Sequence, residues 1–266
     1  MLGIVPAAGR GTRIQPLGFS KELLPVGSRR DANGERPCAV SEYLIERMIV
    51  GGADKICFVI GPGKSDILEY YGAGFSQAAS VYVVQPEASG LCDAIFRAAP
   101  LVGPDEPVLI GLPDTIWFPV DGFAALPDDR LSFLLFPVDQ PQFFDAVVAD
   151  EAGRISEIQV KRVDAASNWI WGAIKMPGRV LHDMHALWRA RQCGDEFMGT
   201  LVNAYLANGG EAVGVRAGDV YVDVGTFDGY RHAASLVAPH TDDPFSIRPG
   251  AHKRRTSVPI GASSWE

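Results

Sequence analysis

Leu2-Gly3-Ile4-Val5-Pro6-Ala7-Ala8 runs apolar straight into Gly9-Arg10-Gly11-Thr12-Arg13-Ile14-Gln15-Pro16. A short, unbroken apolar run that empties into a glycine-rich loop reads as a strand buried on both faces. Strands of that kind belong to parallel sheets, so the stretch points to a doubly wound α/β fold. The segments downstream keep the rhythm. Val40 to Val50 carries Leu44, Ile45, Met48 and Ile49 at helical spacing, and Gly51-Gly52 stops it. Lys55 to Ile60 reads as a strand, Ser65 to Tyr71 as a short helix and Val81 to Val84 as a strand. Leu91 to Ala99 then reads as a helix and Pro107 to Leu112 as a strand. This order predicts a mostly parallel, Rossmann-like sheet with helices on both faces. Ligands in such sheets sit beyond the C-terminal strand ends at the switch point, which singles out the loops after Ala8, Val84 and Leu112.

After Asp114 the rhythm changes. Leu131 to Val138, Asp145 to Ala149, Arg154 to Val160 and Trp169 to Met176 read as strands, with a hairpin turn at Asp150-Glu151-Ala152-Gly153. Arg179 to Ala190 and Phe197 to Ala207 read as helices, Glu211 to Val215 and Val220 to Val224 as strands, and Phe227 to Val237 as a helix. The sheet is therefore expected to be mixed. From Pro239 onward the chain is polar and aperiodic, so we expect one domain over 1–238 and a tail over 239–266. The nucleotide half would be about 1–115 and the second half about 116–238.

The 266 residues carry 24 Lys and Arg against 32 Asp and Glu, a net charge of −8. That excludes a protein whose task is to wrap nucleic acid, which needs a basic face. It leaves room for a small anion held by a few cations. No run approaches the ~20 apolar residues of a membrane helix. Met1 to Val5 reads as a first strand rather than a leader. The four cysteines (Cys38, Cys57, Cys92, Cys193) form no CxxC pair and read as reduced core residues. A cytoplasmic protein is expected, with no membrane partner and with homo-oligomerisation left open.

The Gly9–Pro16 loop reads either as a tight strand-to-helix turn with solvated cations or as a loop that approaches an anion. Small residues let successive backbone N–H groups form a concave nest, and Arg13 adds a planar fork for phosphate oxygens. Lys21 follows on the same loop, in Ser20-Lys21-Glu22-Leu23-Leu24-Pro25. The dinucleotide fingerprint fails because Ile14 stands where its third glycine belongs. A P-loop at Gly63-Lys64-Ser65 fails because its first glycine would be Phe58.

Gly9-Arg10-Gly11-Thr12-Arg13-x-x-Pro16 followed by Lys21-Glu22-Leu23-Leu24-Pro25 resembles the signature of the sugar-1-phosphate nucleotidylyltransferases. Within them it is most similar to the UTP– and dTTP–glucose-1-phosphate enzymes. The resemblance runs over about 1–238 and implies the nucleotide-diphospho-sugar transferase type of fold. It implies an enzyme that couples UTP or dTTP to a sugar 1-phosphate and releases pyrophosphate. Ala8, Gly9, Gly11 and Thr12 would cradle the nucleotide. Gln85 and Gly90, in Gln85-Pro86-Glu87-Ala88-Ser89-Gly90-Leu91, would read the pyrimidine. Arg13 would hold the triphosphate, Lys21 would bridge the two reacting phosphates and Lys161 would anchor the sugar phosphate. Asp114, in Leu112-Pro113-Asp114, and Asp223, in Val222-Asp223-Val224-Gly225-Thr226, would share one Mg²⁺. A catalytic set of Arg13, Lys21 and Asp114 follows. The other class the resemblance leaves is a non-catalytic nucleotide-sugar-binding regulator on the same fold.

The sugar half departs from the pattern. Val160 replaces the Glu usual before Lys161, and Phe144-Asp145-Ala146 stands where Tyr-Gly is common. Asn168-Trp169-Ile170-Trp171-Gly172 sets two indoles where smaller residues are usual. Ala146, Val160, Trp171 and Gly172 therefore join Lys161 as sugar-site candidates, and an acceptor other than plain glucose 1-phosphate is expected. The alternative is that Val160 is an ordinary inward strand residue. Residues 27–37 read as a lid or surface loop whose Arg29, Arg30 and Arg36 could touch phosphates, with a solvated loop the favoured reading. His182 and His185, at i and i+3, read as packing or surface residues rather than metal ligands.

Overall fold

The computed structural model describes residues 1–31 and 34–237. Its main sheet has ten strands, with the order β11-β10-β12-β7-β1-β4-β6-β5, where β5 is the short edge strand Gly74–Phe75, and with β9 joining β12 to β13. In the first half, β1 (Leu2–Ala7), β4 (Lys55–Ile60), β6 (Ala78–Val84) and β7 (Pro107–Gly111) run parallel. α1 (Val40–Val50), α2 (Ser65–Tyr71) and α3 (Gly90–Arg97) connect them. In the second half, β9 (Leu131–Pro137), β10 (Asp145–Ala149), β11 (Ile155–Val160) and β12 (Trp169–Pro177) are antiparallel to their mutual neighbours. β13 (Ala212–Val215) returns parallel to β9. The sheet is mixed and doubly wound, as the apolar runs require.

The alternation within β1 shows why. Leu2 and Ile4 face one core with Cys92, Ile95 and Phe96 of α3, Leu181 and Met184 of α4 (Gly178–Ala190), and Leu201 of α5 (Met198–Ala207). Val5 and Ala7 face the other core with Leu44, Ile45 and Met48 of α1 and Ile67 of α2. Both faces of the strand are packed, and only Pro6 along it is partly exposed. The strand order reverses between β1 and β7, and the loops leaving those two strands open the crevice where such sheets bind ligands.

A third core lies beside this crevice. β8 (Thr115–Phe118) pairs antiparallel with β14 (Val220–Asp223), and α6 (Phe227–Leu236) follows. Ile14, Val26, Cys38, Ile116, Val222 and Ala233 pack together there.

The 27–37 stretch is a hairpin, not a loop. β2 (Pro25–Asp31) pairs with β3 (Gly34–Ala39), Arg29 facing Arg36. Nor are its arginines merely solvated. Arg36 forks onto Glu42 of α1 at 2.7 and 3.0 Å, and Arg29 pairs with Glu42 and Glu46. Polar strands anchored by charge lack the apolar alternation by which strands are read. Cys38, Cys57 and Cys92 are buried as expected, whereas Cys193 is exposed beyond the end of α4. His185 stacks on Phe96 at 5.0 Å and His182 faces the Val102 carbonyl at 2.9 Å, both packing roles. No helix among the described residues is long and apolar enough to cross a membrane. The tail from Pro239 and its Lys253-Arg254-Arg255 run lie outside the described residues.

Candidate active site

The loop after β1 is held at several points. Ile14 is buried in the third core and anchors Arg13. Ser20 bonds Asp66 of α2 through its backbone N–H at 2.6 Å and its hydroxyl at 2.7 Å. Glu22 is buried on Lys64 at 2.8 Å, and its carbonyl accepts from Ser41. Lys21 is thus clamped between two fixed neighbours. Gly11 has φ +62, and a Cβ there would lie 2.7 Å from the Lys21 stem, so only glycine lets the lysine pass.

The far end of Lys21 meets Asp114 at 2.5 Å. Arg13 meets Asp223 at 2.8 Å. The two carboxylates come from strand ends more than a hundred residues apart, and the β8–β14 ribbon brings them together. Asp223 faces Thr115 across it, and the Val224 N–H donates to the Asp114 carbonyl at 2.8 Å. Gly225 closes the arrangement. Its N–H donates to Asp223, and the position of an added Cβ lies 2.9 Å from both Asp114 Oδ2 and Asp223 Oδ1. Arg13, Lys21, Asp114 and Asp223 therefore form one cluster at the switch point.

Burial pushes the Asp114 carboxyl up, yet Lys21 and Arg13 outweigh that and hold it below the ordinary carboxylate range. Burial also pulls Lys21 down, but Asp114, Glu22 and Asp223 raise it above the usual lysine value. Lys21 stays a cation at neutral pH, fit to neutralise charge rather than to accept a proton. Asp114 and Asp223 suit a small hard cation that takes one or two carboxylates and fills its remaining positions with phosphate oxygens. Among the described residues no group of three or more acidic, His or Cys side chains forms a closed metal cage.

Ala8, Arg10, Gly61, Pro62 and the 85–89 segment line a cleft of about 490 Å³. Gln85 is buried in its lining, and its Nε2 donates to the Gly90 carbonyl at 3.1 Å. Gly90, at φ +94, opens α3, and a Cβ on it would strike Glu196 at 2.8 Å. Gly9 is open, with nothing within 4 Å of an added Cβ, and Thr12 is exposed.

The second-half candidates gather separately, without a hydrogen bond or ion pair to the four-residue cluster among the described residues. Lys161 is exposed just beyond β11, its ammonium 4.6 Å from the Phe197 ring. Val160 aims a methyl at the Gly199 position of α5. Trp171 is buried and donates its indole N–H to Asp145 at 3.4 Å. Ala146 is fully buried, and Gly172 sits under the Phe136 and Tyr221 rings, where no Cβ fits. Asp145 is not among the ligand groups that the sequence marks. Burial pushes its carboxyl up, against the pull of Trp171 and Lys161. β8 adds a strand to those expected from the sequence, and Thr115-Ile116-Trp117-Phe118 has the β-branched and aromatic composition of one.

A doubly wound sheet thus brings an anchored Gly-Arg-Lys loop and two carboxylates together at its switch point. The chain belongs to the nucleotidyl transferase family, whose sequence profile matches residues 2–239. It is similar to the glucose-1-phosphate thymidylyltransferase of Neisseria meningitidis, 27% identical and covering 89% of this chain and 82% of that one. It is similar also to the UTP–glucose-1-phosphate uridylyltransferase of Haloferax volcanii, 24% identical over 85% of this chain and 91% of that one. The solved UTP-bound UGPase from Acinetobacter baumannii shares the fold, with a TM-score of 0.70 at 20% identity over 88% and 92% of the two chains.

Proposed function

We propose that this protein couples UTP or dTTP to a sugar 1-phosphate and releases pyrophosphate. An ionised oxygen of the sugar phosphate bonds to the α-phosphorus. The bond from that phosphorus to the oxygen bridging to the β-phosphate breaks, and the electron pair leaves with pyrophosphate. The nucleophile is already an anion, so no general base is needed and the protein's task is alignment and charge neutralisation. The observation that carries this reading is the meeting of two cation–carboxylate pairs at the switch point. Without substrate the four charges cancel one another. When a triphosphate enters, Arg13 turns to its outgoing phosphates and Lys21 to the α-phosphate and the incoming anion. Asp114 and Asp223 would hold Mg²⁺, which supplies charge neutralisation at the phosphates. The glycine loop and the 85–90 segment serve the nucleotide, and the half beyond residue 115 serves the acceptor, within one domain over 1–238.

Lys161 would hold the sugar phosphate. Asp145 faces Val160 directly across β10 and β11. A carboxylate missing at 160 is thus replaced by one a strand away, where facing Cβ atoms stand ~5 Å apart. We infer that Asp145 accepts from a sugar hydroxyl, with Trp171 holding it. A displaced acceptor reads a displaced hydroxyl, so the preferred sugar phosphate differs from plain glucose 1-phosphate. Three buried thiols and a demand for nucleoside triphosphates suit a cytoplasmic setting. No observation favours the regulatory alternative.

Pyrophosphate release from UTP, dTTP, CTP and ATP against a panel of sugar 1-phosphates with Mg²⁺ tests the proposal. Release with UTP or dTTP and at least one sugar 1-phosphate is expected. Absence of release across the panel refutes the activity, and a wide preference for glucose 1-phosphate refutes the altered acceptor.

A further inference from the structure

Gln85 has two amide hydrogens, and both are used inside the protein. One goes to the Gly90 carbonyl at 3.1 Å and the other to Asp93 Oδ2 at 2.7 Å. Neither partner can donate, since one is a carbonyl and the other a carboxylate. The amide nitrogen must therefore face them, whichever way the side chain is first drawn. Asp93 is itself fixed. Arg97, one turn on along α3, forks onto it with Nε to Oδ2 at 3.0 Å and Nη2 to Oδ1 at 3.2 Å. The chain Arg97–Asp93–Gln85 leaves a single group of the amide free. Among the described residues no donor bonds Gln85 Oε1, and Gln85 lines the cleft beside Ala8 and Gly61.

We propose that Asp93, held by Arg97, is a positioning residue that locks Gln85 with its oxygen toward the cleft and so sets which pyrimidine is accepted. This rests on the nucleotidyltransferase reading given above. Uracil and thymine carry a ring N3–H, a donor that meets the fixed oxygen. Cytosine carries a bare N3, whose lone pair faces that oxygen and repels it. An unlocked amide rotates by half a turn and offers its NH₂ group to cytosine instead. The lock converts a side chain that is indifferent by constitution into one that discriminates by orientation. A site whose buried polar group is left unpaired by the wrong ligand discriminates far more than one that only loses contact area.

The test is equilibrium binding of UTP, dTTP and CTP to the full chain, measured by calorimetry with Mg²⁺ for the wild type, Asp93→Ala, Arg97→Gln and Gln85→Ala. The wild type is expected to prefer UTP and dTTP over CTP by at least about tenfold. Asp93→Ala should shrink that ratio on the order of tenfold, with CTP binding gained as UTP binding is lost. Arg97→Gln should move the ratio in the same direction by less, and it carries the test if Asp93→Ala does not fold, because Arg97 lies on a partly exposed helix face. Gln85→Ala should abolish the preference. A purely structural role for Asp93 would weaken UTP and CTP alike. An unchanged UTP:CTP ratio in both variants overturns the proposal, as does a wild type that binds the two equally. A wild type that binds no triphosphate at all overturns the nucleotide reading itself, and the lock falls with it.

Discussion

Replacing Gly225 with alanine adds one methyl group at the centre of the charge cluster. The added Cβ would lie 2.9 Å from Asp114 Oδ2, 2.9 Å from Asp223 Oδ1 and 3.1 Å from Arg13 Nη2. Ordinary contacts need ~3.5 Å or more, so each group must give by several tenths of an ångström. Gly225 is not among the residues with positive φ, so alanine suits the backbone and the cost falls on the side chains. Rotating each carboxylate off its rotamer costs roughly 0.5–1.5 kcal/mol, and alanine returns about 0.4–1 kcal/mol by restricting the unfolded chain. Net destabilisation should be about 1 kcal/mol, a fall in Tm of about 2–4 °C for a chain of this size. Catalysis should suffer far more, because small displacements of aligned reacting groups cost ~100-fold in rate. Pyrophosphate release under saturating and limiting UTP, run beside thermal unfolding by circular dichroism, separates the two. A variant that keeps kcat/KM within about threefold of wild type would refute the claim that the cluster performs the chemistry. So would equal losses of rate and stability, since those mean general unfolding.

Three further outcomes follow from the same geometry. Asp114→Asn removes the partner of Lys21 and one of the two carboxylates proposed to hold Mg²⁺, so pyrophosphate release should fall on the order of 10³-fold while triphosphate binding stays measurable by calorimetry. An unchanged rate would contradict the role of Asp114. Asp145→Asn should raise KM for the sugar phosphate about tenfold with KM for the triphosphate unchanged, and a rise in both would disprove its acceptor-side role. Glu42→Gln removes the carboxylate that binds Arg36, Arg29, Tyr70 and the Ala39 N–H, and should cost about 2–3 kcal/mol in urea unfolding. Burial pushes Glu42 up, but Arg36, Tyr70, Ala39 and Arg29 hold it below the ordinary value. Its contribution is therefore complete above the unfolded pKa of about 4.3 and is lost as pH falls through the lower folded value, so the gap between wild type and variant should close in acid. A gap that widens in acid would contradict the sign.

The first strand and its loop were legible because the signals are local. An unbroken apolar run demands two packed faces, and the small residues that follow it mark where the strand ends in a loop. The same holds for α1 and for the turn at Asp150–Gly153. What the chain could not disclose locally was pairing. β8 carries no alternation of apolar and polar residues, yet its register against β14 is what sets Asp223 beside Asp114. The β2–β3 hairpin hid because its strands are held by arginine–glutamate pairs rather than by an apolar face. The departures at 145 and 160 were visible one by one as substitutions. Only the register of β10 with β11 makes them neighbours, because cross-strand contact depends on how a sheet closes and not on distance along the chain. Residue type and spacing determined which groups this protein owns. The tertiary structure decided which of them meet, since convergence of charges from distant strand ends is stabilised by packing that no single segment contains.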